Sequence, residues 1–164
     1  MTQPILVLTT GGTIDKNYFD ALSEYQIVDS GIPALLKEAR VALPFRVVEL
    51  MRKDSLELTE ADRSLIASAA REASENRIVV THGTDTMTET AKVLAAEVPG
   101  KTVVLTGALS PARFAETAAP FPLGMAFATA QVAAPGVYIA MSGEVFDGLK
   151  VKKDRAAGKF VAVD

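Results

Sequence analysis

The chain has no cysteine and a single histidine, His82, among its 164 residues. Without cysteine there is no disulfide, no thiol nucleophile and no thiolate metal site. Basic charge is also scarce: 17 Lys and Arg against 20 Asp and Glu give a formal net charge of −3. That balance lacks the broad electropositive face that non-specific nucleic-acid binding requires. The one exception, Lys150-Val151-Lys152-Lys153-Asp154-Arg155, reads as a solvated face. No apolar run approaches bilayer length. The opening Met1-Thr2-Gln3-Pro4 carries no positive charge, and Ile5–Leu8 is too short for a leader's apolar core. The expectation is a soluble, cytoplasmic protein with no nucleic-acid or membrane partner.

What is present fits one folded domain. Apolar residues make up 49% and charged residues 23%, ordinary proportions for a globular chain of this length. Ile5–Leu8, Val47–Leu50, Ile78–Val80, Val103–Leu105 and Val137–Met141 are apolar on both faces, as strands covered on both sides are. Helical spacing separates them: Ile32–Ala42, Thr59–Ala73, Thr86–Glu97 and Leu123–Ala133. Thr59 with Asp62, and Thr86 with Glu89, read as helix-capping pairs. The β-α-β-α-β-α-β-α-β order predicts an α/β fold, a single domain with a doubly wound, mostly parallel sheet of the Rossmann or flavodoxin kind. Asp15 to Gly31 is longer than the usual βα loop, and its aromatic residues favour a lid over a plain linker. After Met141 the pattern weakens, and residues 142–164 read as a short terminal arm.

Ligands of such sheets bind outside the carboxyl ends of the strands. Three strands end alike here, in Thr9-Thr10-Gly11, Thr81-His82-Gly83 and Thr106-Gly107, so hydroxyls and glycines converge on one edge. The Gly11-Gly12-Thr13 turn lacks the third glycine of a dinucleotide fingerprint, and no Gly-Lys-Ser/Thr follows. Thr13 has two readings: a nucleophilic hydroxyl beside backbone N–H groups that stabilise an oxyanion, or a threonine satisfying its own turn. Asp85 likewise either holds an ammonium in the crevice or caps the helix that follows. His82 directly follows a buried strand, which assigns it a structural bond to neighbouring backbone rather than the role of general base.

Thr10-Gly11-Gly12-Thr13-Ile14 followed by His82-Gly83-Thr84-Asp85-Thr86-Met87 resembles the two signature motifs of the bacterial-type L-asparaginase/glutaminase family. The likeness runs from Ile5 to about Lys153. It implies an amidohydrolase that converts L-asparagine, or alternatively L-glutamine, to the acid and ammonia through an acyl-threonine, with neither metal nor organic cofactor. Thr13 is then the nucleophile, Thr84 the second catalytic threonine and Asp85 the group that binds the α-ammonium. Ser55, next to Asp54, matches the serine that holds the α-carboxylate. Gly12, Gly83 and Ala108 match backbone positions around the substrate. Tyr18, with Tyr25 as the alternative, matches the lid tyrosine that assists the nucleophile.

Two departures follow from the same resemblance. The family lysine is expected on the helix before the last strand, and Leu123–Ala133 has none; Lys153, or else Lys150 or Lys152, is the substitute. The family's second, carboxy-terminal domain is not in this sequence, so a homo-oligomer, dimer or tetramer, is expected to complete the pocket. Two rivals remain: a catalytically weakened amino-acid-binding or regulatory module, and a subunit acting on amidated tRNA or a peptide. The acidic balance argues against the tRNA.

Overall fold

Seven consecutive buried residues, Ile5–Gly11, form β1, the strand from which the sheet is built outwards in both directions. The structure, a computed structural model, describes residues 2–19, 24–27, 30–108 and 117–164, and of 17–19 and 24–27 the backbone alone. A 3-10 turn at Thr13–Asp15 leads into an antiparallel hairpin, β2 (Lys16–Phe19) and β3 (Glu24–Ile27). Then follow α1 (Ile32–Glu38), β4 (Phe45–Lys53), α2 (Glu60–Glu72), β5 (Arg77–Thr81), α3 (Met87–Glu97) and β6 (Thr102–Thr106). The chain ends in α4 (Pro120–Val132), β7 (Gly136–Met141), β8 (Glu144–Asp147), β9 (Val151–Asp154) and β10 (Lys159–Ala162).

Six strands make one sheet in the order β4-β1-β5-β6-β7-β8, parallel except for β8, so the expected doubly wound α/β sheet is present. The chain builds first to one side of β1 and then to the other. The direction therefore reverses between β1 and β5, and ligands of such sheets bind outside the carboxyl ends at a reversal of this kind. Alternate residues of each strand feed two cores. Leu6, Leu8, Ile78, Val80 and Leu105 pack with α2 and α3. Ile5, Val7, Val79 and Val104 pack with α1 and α4. Both faces are covered, which is why these strands read as unbroken apolar runs.

One local expectation is corrected, and two segments read as loop and arm prove to hold strands. The α1 pattern stops at Glu38 rather than Ala42, because Arg40 adopts φ +52°. Val41 N–H then bonds Leu36 O and Arg40 N–H bonds Lys37 O, a Schellman ending made without glycine. The long first loop holds the β2–β3 hairpin. The terminal arm holds three strands: Ser142 (φ +56°) and Gly143 (φ +75°) turn β7 directly into β8, and β9 pairs with β10. Left-handed φ at both central residues matches the twist of paired strands, which suits a two-residue hairpin. Among the described residues no helix is long and apolar enough to cross a membrane.

Candidate active site

The first motif is bent into place by two glycines. Gly11 has φ +105° and Gly12 φ +82°. A side chain on Gly11 would meet Lys53 backbone N and O at 2.5 Å, where β1 and β4 slip register. One on Gly12 would meet the Gly83 backbone at 2.6 and 2.8 Å. The two signature turns thus touch, glycine against glycine, across the switch point. Thr13 follows this contact directly and is partly exposed. Its hydroxyl has no hydrogen-bond partner among the described residues, so it does not satisfy its own turn. Gly12→Ala is expected to lower stability by about 2–4 kcal/mol, since left-handed backbone and a clash with main chain add. Urea melts of the variant check this; a loss under about 1 kcal/mol would mean the turns can part.

The second motif is held by His82 beneath it. His82 is buried, with Nδ1 2.7 Å from Gly83 O and Nε2 2.7 Å from Thr90 Oγ1. A carbonyl only accepts, so Nδ1 carries the proton and Nε2 accepts from the Thr90 hydroxyl. Burial first, and then the charge of Arg63, push its pKa down to about 4, against the hydrogen bond to Gly83. His82 is therefore the structural residue expected, a neutral prop for the Gly83 peptide.

A pH dependence follows. Below pH ~6.5 the unfolded chain takes up a proton that the native imidazole refuses until about 4, so stability falls as pH drops through that window. The full loss is about 3 kcal/mol. Urea midpoints between pH 7 and 5, above most carboxylate titration, should fall in the wild type and flatten in His82→Asn. Equal slopes in the two would refute the assignment, and the single imidazole makes it checkable by proton NMR as well.

Beyond Gly83 the chain carries Thr84 and Asp85 past the end of β5, and β9 brings Lys153 to them. The Lys153 ammonium donates to Thr84 Oγ1 and to Asp85 Oδ1, both at 2.8 Å. Arg155 Nη2 lies 3.3 Å from Asp85 O and 3.6 Å from Asp85 Oδ1. The hydrogen bond from Lys153 holds the Asp85 carboxyl below its ordinary pKa against partial burial, and the charges of Lys153, Arg155 and Lys16 add to it. Asp85 is thus not the helix cap. Thr86 occupies that position but makes no capping bond. Its hydroxyl donates instead to Ser55 O at 2.7 Å, and Glu89, the expected capping partner, pairs with Arg63 at 3.1 Å.

That Thr86 contact ties the third segment in. Ser55 is buried and its Oγ accepts from Thr86 N–H at 3.3 Å. A side chain on Gly83 would meet Ser55 Cβ at 2.6 Å and Oγ at 2.7 Å. Asp54 caps the 3-10 turn Ser55–Glu57 by accepting from Leu56 N–H at 3.0 Å. Ala108 is buried after β6 and lines, with Gly107, Phe121, Met141 and Lys159, an apolar cleft of about 600 Å³.

The segments carrying Gly12, Thr13, Asp54, Ser55, Gly83, Thr84, Asp85 and Lys153 therefore meet at one edge. Of the three candidate lysines, Lys153 is the one bonded to Thr84 and Asp85; Lys150 and Lys152 are exposed. Strand alternation carries the signal, since Lys153 shares a face with buried Val151. Tyr18 and Tyr25 are register partners in the β2–β3 hairpin, and their side chains lie outside what the structure describes. Lys16, absent from the sequence-level candidates, stands 3.5 Å from Asp54 Oδ2.

Threonines, a lysine and a carboxylate are thus gathered at the strand ends, at the switch point of a doubly wound sheet. The sequence matches the family Asparaginase, N-terminal over residues 4–160, and the chain belongs to that family. It is 32% identical over 163 residues to an L-asparaginase of Thermococcus kodakarensis, covering 94% of this chain and 48% of that protein. To L-asparaginase 2 of Escherichia coli it is 30% identical over 159 residues, covering 91% and 46%. The solved structure of the thermostable L-asparaginase from Thermococcus kodakarensis superposes with a TM-score of 0.85 at 28% identity, over 97% of this chain and 51% of that one. The chain spans about half the length of the curated relatives it matches.

Proposed function

We propose that this protein hydrolyses the side-chain amide of L-asparagine to L-aspartate and ammonia through an acyl intermediate on Thr13. The observation that carries the reading is the Lys153 ammonium shared between Thr84 and Asp85, one glycine contact away from the Thr13 hydroxyl, which has no partner among the described residues. Thr13 Oγ attacks the amide carbon and gives up its proton. The C–N bond breaks, and the nitrogen leaves as ammonia, carrying the proton that Thr13 gave up. Water then adds to the ester and returns the hydroxyl to Thr13. Threonine is a weak nucleophile, so proton transfer and oxyanion stabilisation must supply most of the acceleration. Thr84 suits the proton transfer, because its oxygen accepts from Lys153 and its own O–H stays free to donate. Backbone N–H groups of the glycine turns suit the oxyanion.

In the same reading Asp85 Oδ2 meets the substrate ammonium, and Ser55 with Asp54 frames its carboxylate. Tyr18 acts from the hairpin on Thr13. A homo-oligomer belongs to this reading, supported by α4, which has no charged residue and exposes Phe121 and Val132. The test is ammonia release by purified protein from L-asparagine and L-glutamine. Turnover of either supports the reading, with the two separated by at most the ~1–3 kcal/mol that one methylene is worth. Tight binding of L-aspartate with no release from either amide would leave an amino-acid-binding module instead.

A further inference from the structure

We infer that Lys16 is a second anchor for the substrate's α-carboxylate, a specificity residue outside both signature motifs. This rests on the amide-hydrolase reading above and deepens it. Lys16 opens β2 immediately after the turn that carries Thr13, so the segment holding the nucleophile also places this cation. Its side chain is mostly covered, and its contact with Asp54 Oδ2 is long, 3.5 Å. The other lysines near the site are held tightly. Lys53 donates to both oxygens of Asp62 at 2.9 Å, and Lys153 donates twice at 2.8 Å. An ammonium has three donors. Among the described residues Lys16 spends one donor, on a long contact, and keeps two, where Lys53 and Lys153 each keep one.

What surrounds it suits a carboxylate. Asp54 already spends one oxygen on Leu56 N–H, so its bond to Lys16 is its second and looser one. Beside Asp54, the Ser55 hydroxyl accepts from Thr86 N–H and donates to no described residue. A hydroxyl donor and an ammonium donor thus flank the same turn. The α-carboxylate and α-ammonium of an amino acid sit on one carbon, so their anchors must be neighbours. Lys16 meets this condition: its partner Asp54 leads into Ser55, which bonds Thr86, the residue after Asp85, the proposed ammonium site. Lys16, Lys153 and Arg155 face Asp54 and Asp85, three positive charges against two negative, which favours a ligand bearing a free carboxylate.

Three amides separate this role from a strut that merely fastens the hairpin to Asp54: L-asparagine, succinamate, which lacks the ammonium, and β-alaninamide, which lacks the carboxylate. Lys16→Gln should raise KM for the first two at least about tenfold at nearly constant kcat, and leave kcat/KM for β-alaninamide within about threefold. Lys16→Arg should recover most of the loss. Equal effects on all three amides, or none on any, overturn the inference. If the wild type releases ammonia from no amide, the hydrolase reading fails and calorimetry decides the anchor. Lys16→Gln should then weaken L-aspartate at least about tenfold and β-alanine hardly at all. Unchanged aspartate affinity, or a wild type that binds neither ligand, overturns it.

Discussion

Thr13→Ala should release ammonia from L-asparagine at least about 10³-fold more slowly than the wild type while melting at nearly the same temperature. The two halves of that result have separate causes. The hydroxyl is the atom proposed to form and break the ester, so its removal takes away the reaction rather than slowing one step. The same hydroxyl bonds nothing among the described residues, and Thr13 is partly exposed in a 3-10 turn that alanine also adopts. The stability change should therefore stay within about 0.5 kcal/mol. Thr13→Ser, which keeps the oxygen, should retain measurable turnover. Ammonia assays paired with thermal melts check both halves. A Thr13→Ala enzyme within tenfold of wild type would falsify the nucleophile assignment.

Lys153→Met should lower kcat by about 10²–10⁴-fold, the range over which a positioned proton-transfer group acts. Methionine keeps the length of the side chain and removes the charge. Thr84 then loses the donor to its oxygen, and among the described residues Asp85 keeps Arg155, at 3.6 Å, and the more distant charge of Lys16. The Asp85 carboxyl should move up towards its ordinary value, because the Lys153 hydrogen bond is the largest cause of its depression. An acid limb of the kcat/KM profile governed by Asp85 should shift to higher pH with it. The fold should tolerate the change, since a partly exposed pair of this kind contributes about 1 kcal/mol or less. A drop in kcat below about threefold would make Lys153 a strut rather than part of the proton path.

The central fold was legible because burial on both faces writes itself into residue type. Four of the five parallel strands appear as largely unbroken apolar runs, the edge strand β4 is interrupted by exposed Arg46, Glu49 and Arg52, and Thr59 with Asp62 makes the capping box its spacing predicts. The misses are places where partners from afar decide. Arg40 ends α1 in a conformation usually left to glycine, and the hydroxyl of Thr86 goes to Ser55 instead of its own helix. β9 reads as a solvated basic run because only Val151 among its residues is buried. The site shows the same division. Thr13, Thr84 and Asp85 stand in compact motifs whose glycines announce a tight turn. Lys153 and Lys16 are ordinary lysines in sequence, and tertiary structure alone gives them neighbours.

The β9–β10 hairpin sets a timetable for the chemistry. The link from Lys153 to Thr84 closes a span of 69 residues, whereas the five parallel strands are complete once Met141 has been made. Lys16 is made before that point, whereas Lys153, the ammonium bonded to Thr84, follows it. The wait is the dozen residues to Lys153, about one second at ribosomal rates of ~5–20 residues per second. In the proposed mechanism the pair of Thr84 and Lys153 therefore cannot form until β9 has been added to the chain.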